Sequence, residues 1–170
     1  CIRDRLDTSR LRQALADMLN VAPGAVDGQV LGEHGDSSVT ALSTVRIGGQ
    51  TLRAFLGDDP QPDLRALSTG VRDAGYRIIE GKGYTSFGIA TAIVRIAEAV
   101  SRNERGVLPV SAWIDEGYGT GKLCLSLPCI VGAGGIERVL RPDLDAEEEA
   151  ALRASALVLA AELRKLDAAG

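Results

Sequence analysis

Val30-Leu31-Gly32-Glu33-His34-Gly35-Asp36-Ser37-Ser38 sets the single histidine of the chain in a glycine-rich polar turn, with Ala25 to Leu31 leading in and Leu42 to Ile47 leading out. Both flanking runs are short and rich in β-branched residues, which predicts two strands around the turn, the second ending at Gly48-Gly49. Active-site side chains often sit in such turns. Imidazole changes charge near neutral pH, so His34, between the carboxylates of Glu33 and Asp36, is a candidate for acid/base work. A lone loop histidine is more often a plain surface residue, and the reading needs a second signal.

Working outward, Leu11, Leu15, Met18 and Leu19 recur at the spacing of one helical face, with Asp7 or Thr8 placed to cap that helix and Pro23-Gly24 to end it. Downstream, Leu64, Leu67, Val71, Ala74 and Ile78 predict a helix over Pro62 to Glu80. After Gly81-Lys82-Gly83 a second helix is expected to bury Ile89, Ile93, Ile96, Ala97 and Val100, the two lying back to back. Val107 to Ile114 and Lys122 to Leu127, joined across Gly117-Tyr118-Gly119-Thr120-Gly121, predict an antiparallel hairpin that Cys129-Ile130-Val131 extends. A long helix should start near Asp145, its acids at the positive end of the helix dipole and Arg164 and Lys165 at the negative end. Helices and antiparallel strands are grouped rather than alternating, so the class is α+β, and no linker or repeat divides the chain.

Composition narrows the function. The chain has 170 residues, 45% apolar and 25% charged, which suits one compact domain spanning 1–170. A formal net charge of -4 provides no basic stripe for a phosphate backbone, which argues against nucleic acid as a partner. No apolar run approaches the roughly 18 residues of a membrane span, and Cys1-Ile2-Arg3-Asp4-Arg5 is unlike a signal peptide, so a soluble cytoplasmic protein is expected. The opening at Cys1 without an initiator methionine suggests an interior starting point. Cys1, Cys124 and Cys129 lack disulfide or zinc spacing and are expected to be buried or incidental thiols, with no metal site.

Two glycine motifs fail on inspection. Ile130-Val131-Gly132-Ala133-Gly134-Gly135 opens like a dinucleotide fingerprint, but the third glycine would fall at Glu137. Gly121-Lys122 suggests a phosphate loop, yet Leu123 stands where Ser or Thr is required and Glu116 where the first glycine belongs.

The second signal is Leu6-Asp7-Thr8-Ser9-Arg10. Asp7 and Arg10 are three residues apart and share a helix face. The plain reading is a cap and a surface ion pair worth well under ~1 kcal/mol. The functional reading is a carboxylate that orients an imidazole and a guanidinium whose fork suits a substrate carboxylate.

Leu6-Asp7-Thr8-Ser9-Arg10 followed by Val30 to Ser38 resembles the lactate/malate dehydrogenase family. The similarity continues in the family's order through Lys82-Gly83-Tyr84-Thr85-Ser86-Phe87-Gly88-Ile89 and Leu125-Ser126-Leu127-Pro128 into Val131-Gly132, and covers essentially the whole chain. The resemblance implies the substrate-binding, catalytic C-terminal domain of an NAD-dependent L-2-hydroxyacid dehydrogenase. In it His34 donates and accepts the proton, Asp7 orients the imidazole, Arg10 clamps the substrate carboxylate, Thr85 lines the substrate pocket and Ile89 packs on the nicotinamide. Tyr84-Thr85-Ser86 favours lactate and pyruvate over malate or a branched 2-hydroxy acid. The family also implies a homo-oligomer, dimer or tetramer, and an N-terminal Rossmann domain for NAD that these residues do not contain. Where the family has a glycine-rich stretch before Leu-Asp-Thr, this chain departs with Cys1 to Arg5. Where fructose-bisphosphate-regulated members pair an arginine with a histidine, it has Arg12 and Asp27, and the acid implies no such activation.

Two other classes compete. A non-enzymatic assembly domain would keep the fold but has no use for Asp7, Arg10, His34 and Thr85 together. An NAD-using glycosidase of similar architecture needs Cys and His metal ligands, and the only histidine is committed to the Gly-Glu-His-Gly turn.

Overall fold

The computed structural model describes residues 3–58, 62–115 and 118–167. Within them the chain is α+β, as the grouped pattern predicts: five α-helices, eight strands in three antiparallel sheets, and two 3₁₀ turns at Pro23–Ala25 and Leu42–Thr44.

Helix α1 (Arg3–Leu19) is the axle of the fold. It starts a turn earlier than expected, so Asp7 and Thr8 lie inside the helix instead of capping it; Cys1 and Ile2 are outside the described residues. Leu11 and Leu15 are fully buried against β1 (Val26–Asp27), β2 (Val30–Leu31), β4 (Arg46–Ile47) and Val71. The strand expected over Ala25 to Leu31 is divided at Gly28-Gln29, where the backbone runs so close to the Val45 side chain that a Cβ on Gly28 would lie 3.1 Å from it. Its halves join different sheets, β1 with β4 and β2 with β3 (Val39–Thr40). The second expected strand is likewise shorter: Leu42 to Thr44 turn as a 3₁₀ helix, and Gly48-Gly49 reverse the chain from β4 into β5 (Gln50–Thr51). Both glycines have positive φ, 56° and 84°, a turn conformation in which glycine is at ease.

After the short α2 (Leu52–Leu56), Asp63 caps α3 (Leu64–Lys82) by accepting from Ala66 N–H at 2.9 Å, and Gly83 ends it in the left-handed conformation. Helix α4 (Phe87–Ser101) follows. The two do not lie back to back; α3 packs mainly on α1, and α4 packs equally on α1 and on the strand Leu123–Gly132. Helix α4 buries Ala92 and Ala99, with Ile96 and Val100 packed alongside, whereas Ile93 and Ala97 are exposed. Ile78 of α3 is also exposed, so the expected apolar stripe turns away from the core at its C-terminal end.

The hairpin forms in the expected register, β6 (Gly106–Ile114) against β7 (Leu123–Gly132), although Glu116 and Gly117 of its connecting turn fall outside the described residues. Strand β7 runs through Cys129-Ile130-Val131 and turns at Ala133-Gly134 into an unforeseen third strand, β8 (Gly135–Val139). The false dinucleotide fingerprint is therefore a β-turn. Helix α5 (Ala146–Asp167), capped by Asp145 accepting from Glu148 N–H at 2.8 Å, lies on β7 and β3, its buried Leu152 and Ala156 in one cluster with Leu31, Leu125 and Leu127. An isolated bridge between Gly32 and Ser126 stitches the end of β2 to β7, which fixes where the His34 turn begins.

Candidate active site

Buried polar side chains are rare unless they are partnered. Here they cluster around the His34 turn: Asp4, Asp7, Thr8, Ser126 and Ser155 are the buried polar residues among those described. Thr8 accepts from the Val30 N–H at 2.9 Å, which ties α1 to the strand that carries the turn. One residue earlier on α1, Asp7 faces the turn itself. Its Oδ2 lies 2.6 Å from His34 Nδ1 and its Oδ1 accepts from Arg10 Nη1 at 2.8 Å. An ionised carboxylate only accepts, so the geometry puts a proton on Nδ1 and leaves Nε2 as the nitrogen free for other chemistry. The i,i+3 spacing seen in the sequence is thus a bridge between imidazole and guanidinium.

His34, Asp7 and Arg10 line a cleft of about 290 Å³ together with Thr85 and Ile89. All five residues singled out in the sequence meet in one place. Thr85 arrives through the Gly83 helix stop, and Ile89 follows one turn into α4. The sequence reading missed the rest of the wall, Leu6 from α1, Gly35 and Ser38 from the turn, and Arg72, Gly75, Tyr76 and Ile79 from α3. The α3 residues repeat at i, i+3, i+4 and i+7, the signature of a second helix face, which lies beside the buried Val71. An aromatic and an isoleucine on that polar face were the available signal. Gly75 lies next to the Arg10 guanidinium, where a Cβ would make ordinary contact at 3.7 Å from Nη1. Tyr76 Oη reaches Asp36 Oδ1 at 3.4 Å, and Arg72 Nη2 reaches the Ser38 carbonyl at 3.4 Å, so α3 touches the turn from the far side.

Behind the cleft, burial pushes the Asp4 carboxyl above its ordinary 3.8, opposed by the hydrogen bond that Ser111 Oγ donates at 3.0 Å and by the nearby His34. Burial also lowers the pKa of Arg5 from the ordinary guanidinium value; its Nη1 donates to Ser9 Oγ at 2.7 Å. A wider cleft of about 1010 Å³ opens on the other side of Ser38 and Arg72, among α2 and the first turns of α3 and α5. It holds none of the five residues. Of the thiols, Cys129 is buried, with its pKa pushed up to about 11 by burial, and Cys124 is exposed; Cys1 lies outside the described residues.

An α+β domain that holds a carboxylate-oriented imidazole beside a paired arginine in an apolar-walled cleft has the makings of an acid/base site for a small carboxylic acid. The chain belongs to the lactate/malate dehydrogenase family: residues 4–169 match the family's alpha/beta C-terminal domain. It is 47% identical over 158 residues to an L-lactate dehydrogenase of Thermus aquaticus, covering 91% of this chain and 51% of that protein. An L-lactate dehydrogenase of Treponema denticola is 41% identical over 156 residues, covering 89% and 50%. Among solved structures, the ligand-bound minor L-lactate dehydrogenase of Enterococcus mundtii superimposes with a TM-score of 0.89 at 36% identity, covering 95% of this chain and 52% of that one. A lactate dehydrogenase from a Medee basin deep-sea metagenome library gives 0.91 at 30% identity, covering 96% and 53%. The chain spans about half the length of the curated relatives it matches.

Proposed function

We propose that this chain is the substrate-binding and catalytic domain of an NAD-dependent L-lactate dehydrogenase, interconverting pyruvate and L-lactate, with the Rossmann nucleotide-binding half supplied by the rest of a longer polypeptide. The observation that carries the reading is the pair of hydrogen bonds made by Asp7, to His34 Nδ1 at 2.6 Å and to Arg10 Nη1 at 2.8 Å, on the wall of a cleft.

Each side chain has a definite task. Arg10 presents its remaining guanidinium donors to the substrate carboxylate, and a bidentate fork fixes the orientation of the keto group. His34, its Nδ1 proton engaged by Asp7, holds a second proton on Nε2 that hydrogen-bonds the keto oxygen and passes to it during reduction; in the reverse direction Nε2 takes the hydroxyl proton. Asp7 stabilises the positive ring while it is charged and keeps its orientation. Thr85 borders the substrate.

The cofactor fits the same wall. Ile79, Leu6 and Ile89 give the cleft an apolar side suited to a flat ring, and Ile89 is the residue that would pack on it and exclude water. NAD, when bound, supplies or takes up the hydride at the substrate carbon. Arg12 donates to Asp27 Oδ1 at 2.8 Å and to the Gly28 carbonyl at 3.0 Å, which occupies the guanidinium within its own chain and supports activity independent of fructose bisphosphate. No described helix is long and apolar enough to cross a membrane. The family resemblance supports a cytoplasmic enzyme and a homo-oligomer, dimer or tetramer.

The test is NADH consumption by the full-length polypeptide with pyruvate, oxaloacetate and a branched 2-keto acid, in wild type and His34→Ala. Fast pyruvate turnover that disappears in the variant is the expected result. Turnover undiminished in the variant would remove His34 from the mechanism, and preference for another keto acid would change the substrate.

A further inference from the structure

We infer that Ser155, in the middle of α5 and far from the cleft in sequence, is a positioning residue for His34. This rests on the acid/base reading of His34 given above. Ser155 is fully buried among Leu152, Ala156 and the leucines of β7, where a hydroxyl has no packing value. Its oxygen accepts from the Glu33 N–H at 2.7 Å and lies 3.2 Å from Ser37 Oγ. Ser37 Oγ in turn donates to Glu33 Oε2 at 2.6 Å, and Ser37 N–H reaches the same oxygen at 3.3 Å. A hydroxyl has one proton, and that of Ser37 is spent on Glu33, so between the two serines Ser155 is the donor. The bonds therefore form a ring: Glu33 N–H to Ser155, Ser155 O–H to Ser37, Ser37 O–H to the Glu33 carboxylate. His34 is the next residue along, held inside the segment that the ring closes.

The ring also explains both glycines of Gly32-Glu33-His34-Gly35. A Cβ on Gly32 would stand 2.5 Å from Ser155 Oγ, and one on Gly35 would stand 2.2 Å from Glu33 Oε1. Gly32 has a φ of 88°, a conformation that costs a side-chain-bearing residue strain. The motif is thus shaped to let α5 and the Glu33 carboxylate come close. The site is assembled from two directions: α1 presents Asp7, α5 pins the backbone of Glu33 next to His34, and the 2.6 Å contact between Asp7 and His34 depends on both.

The test compares Ser155→Ala, Ser37→Ala, their double variant and the core control Leu123→Ala, all in the full-length polypeptide. Loss of one buried hydrogen bond in the ring is expected to lower kcat for pyruvate reduction by about ten- to a hundredfold, with KM little changed because Arg10 is untouched. The double variant should lose no more than the worse single one, as members of one network do. Leu123→Ala should lower the melting temperature while the folded enzyme keeps its kcat. Should Ser155→Ala fail to fold, Ser37→Ala, on a partly exposed residue, carries the same prediction. A second readout is independent of turnover: the downfield proton signal of Nδ1–H bound to Asp7, assigned by its loss in His34→Ala, should be sharp in wild type and Leu123→Ala and lost in the serine variants. Wild-type kcat together with an unaltered Nδ1–H signal in both serine variants overturns the positioning role. Activity surviving His34→Ala would overturn the acid/base reading instead, leaving the proton signal to decide what Ser155 holds.

Discussion

Replacing Thr8 by valine tests how the cleft is anchored to the core. Thr8 is fully buried in α1, and its Oγ1 is the acceptor for Val30 N–H at 2.9 Å, a backbone donor in the short strand that leads to His34. Valine has the same shape, so no cavity opens and helix propensity barely changes. What is lost is the acceptor alone. A buried N–H left unsatisfied costs about 1–3 kcal/mol, and for a domain of this size each kcal/mol lowers the melting temperature by about 2–4 °C. Thr8→Val should therefore melt roughly 2–12 °C below wild type. Thr8→Ser keeps the acceptor and gives up one methyl, worth about 1 kcal/mol, and should fall near the lower end of that range or below it. The assay is thermal unfolding by circular dichroism with calorimetry to confirm a single transition. If the valine variant is as stable as wild type, or the serine variant falls further than the valine one, the Thr8–Val30 bond is not what holds β2 to α1.

Asp7→Asn keeps the size of the side chain but removes the charge shared by His34 and Arg10; a charge-assisted bond of about 1.5–3 kcal/mol predicts a loss of about 10- to 150-fold in kcat/KM of the full-length enzyme, read by steady-state pyruvate reduction. Asp4→Asn should stabilise the fold at neutral pH. The Asp4 carboxyl is raised above 3.8 chiefly by burial, so the folded state favours its neutral form; its contribution is full below 3.8 and is lost as pH rises through the higher folded value. The advantage of the Asn variant in chemical denaturation should accordingly shrink as pH is lowered toward 3.8, and an advantage independent of pH would contradict burial as the cause. Cys124 should be alkylated by iodoacetamide in the native protein at mildly alkaline pH while Cys129, buried with a pKa pushed up to about 11, reacts only after unfolding, as peptide mapping would reveal.

The parts of the site that lie close along the chain are legible in the sequence alone. Asp7 and Arg10 share a helix face by periodicity, and the glycines around His34 announce a turn. The long helices and the β6–β7 hairpin are legible too, because their apolar spacing extends over enough residues to outweigh local noise. Short elements depart from expectation where tertiary contact overrides propensity: one expected strand divides at Gly28-Gln29 so that its halves pair in different sheets, and Leu42 to Thr44 wind into a 3₁₀ turn despite their strand-like neighbours. Ile93 is apolar and so expected inside, yet α4 turns Ala92, Ala99, Ile96 and Val100 toward the core and leaves Ile93 and Val94 on its exposed face.

The sequence by itself determined the α+β class, the identity of His34, Asp7, Arg10, Thr85 and Ile89 as candidates, and the family they resemble, since each depends on residue type and local spacing. Only the tertiary structure decided that these five share one cleft, that α3 supplies its far wall, and that a serine on the last helix closes a ring of hydrogen bonds around the histidine turn. Those are contacts between residues remote along the chain. Periodicity describes one element at a time, whereas the pairing of Ser155 with Glu33 exists only once α5 has docked on the sheet and brought a buried hydroxyl to the one backbone N–H that needs it.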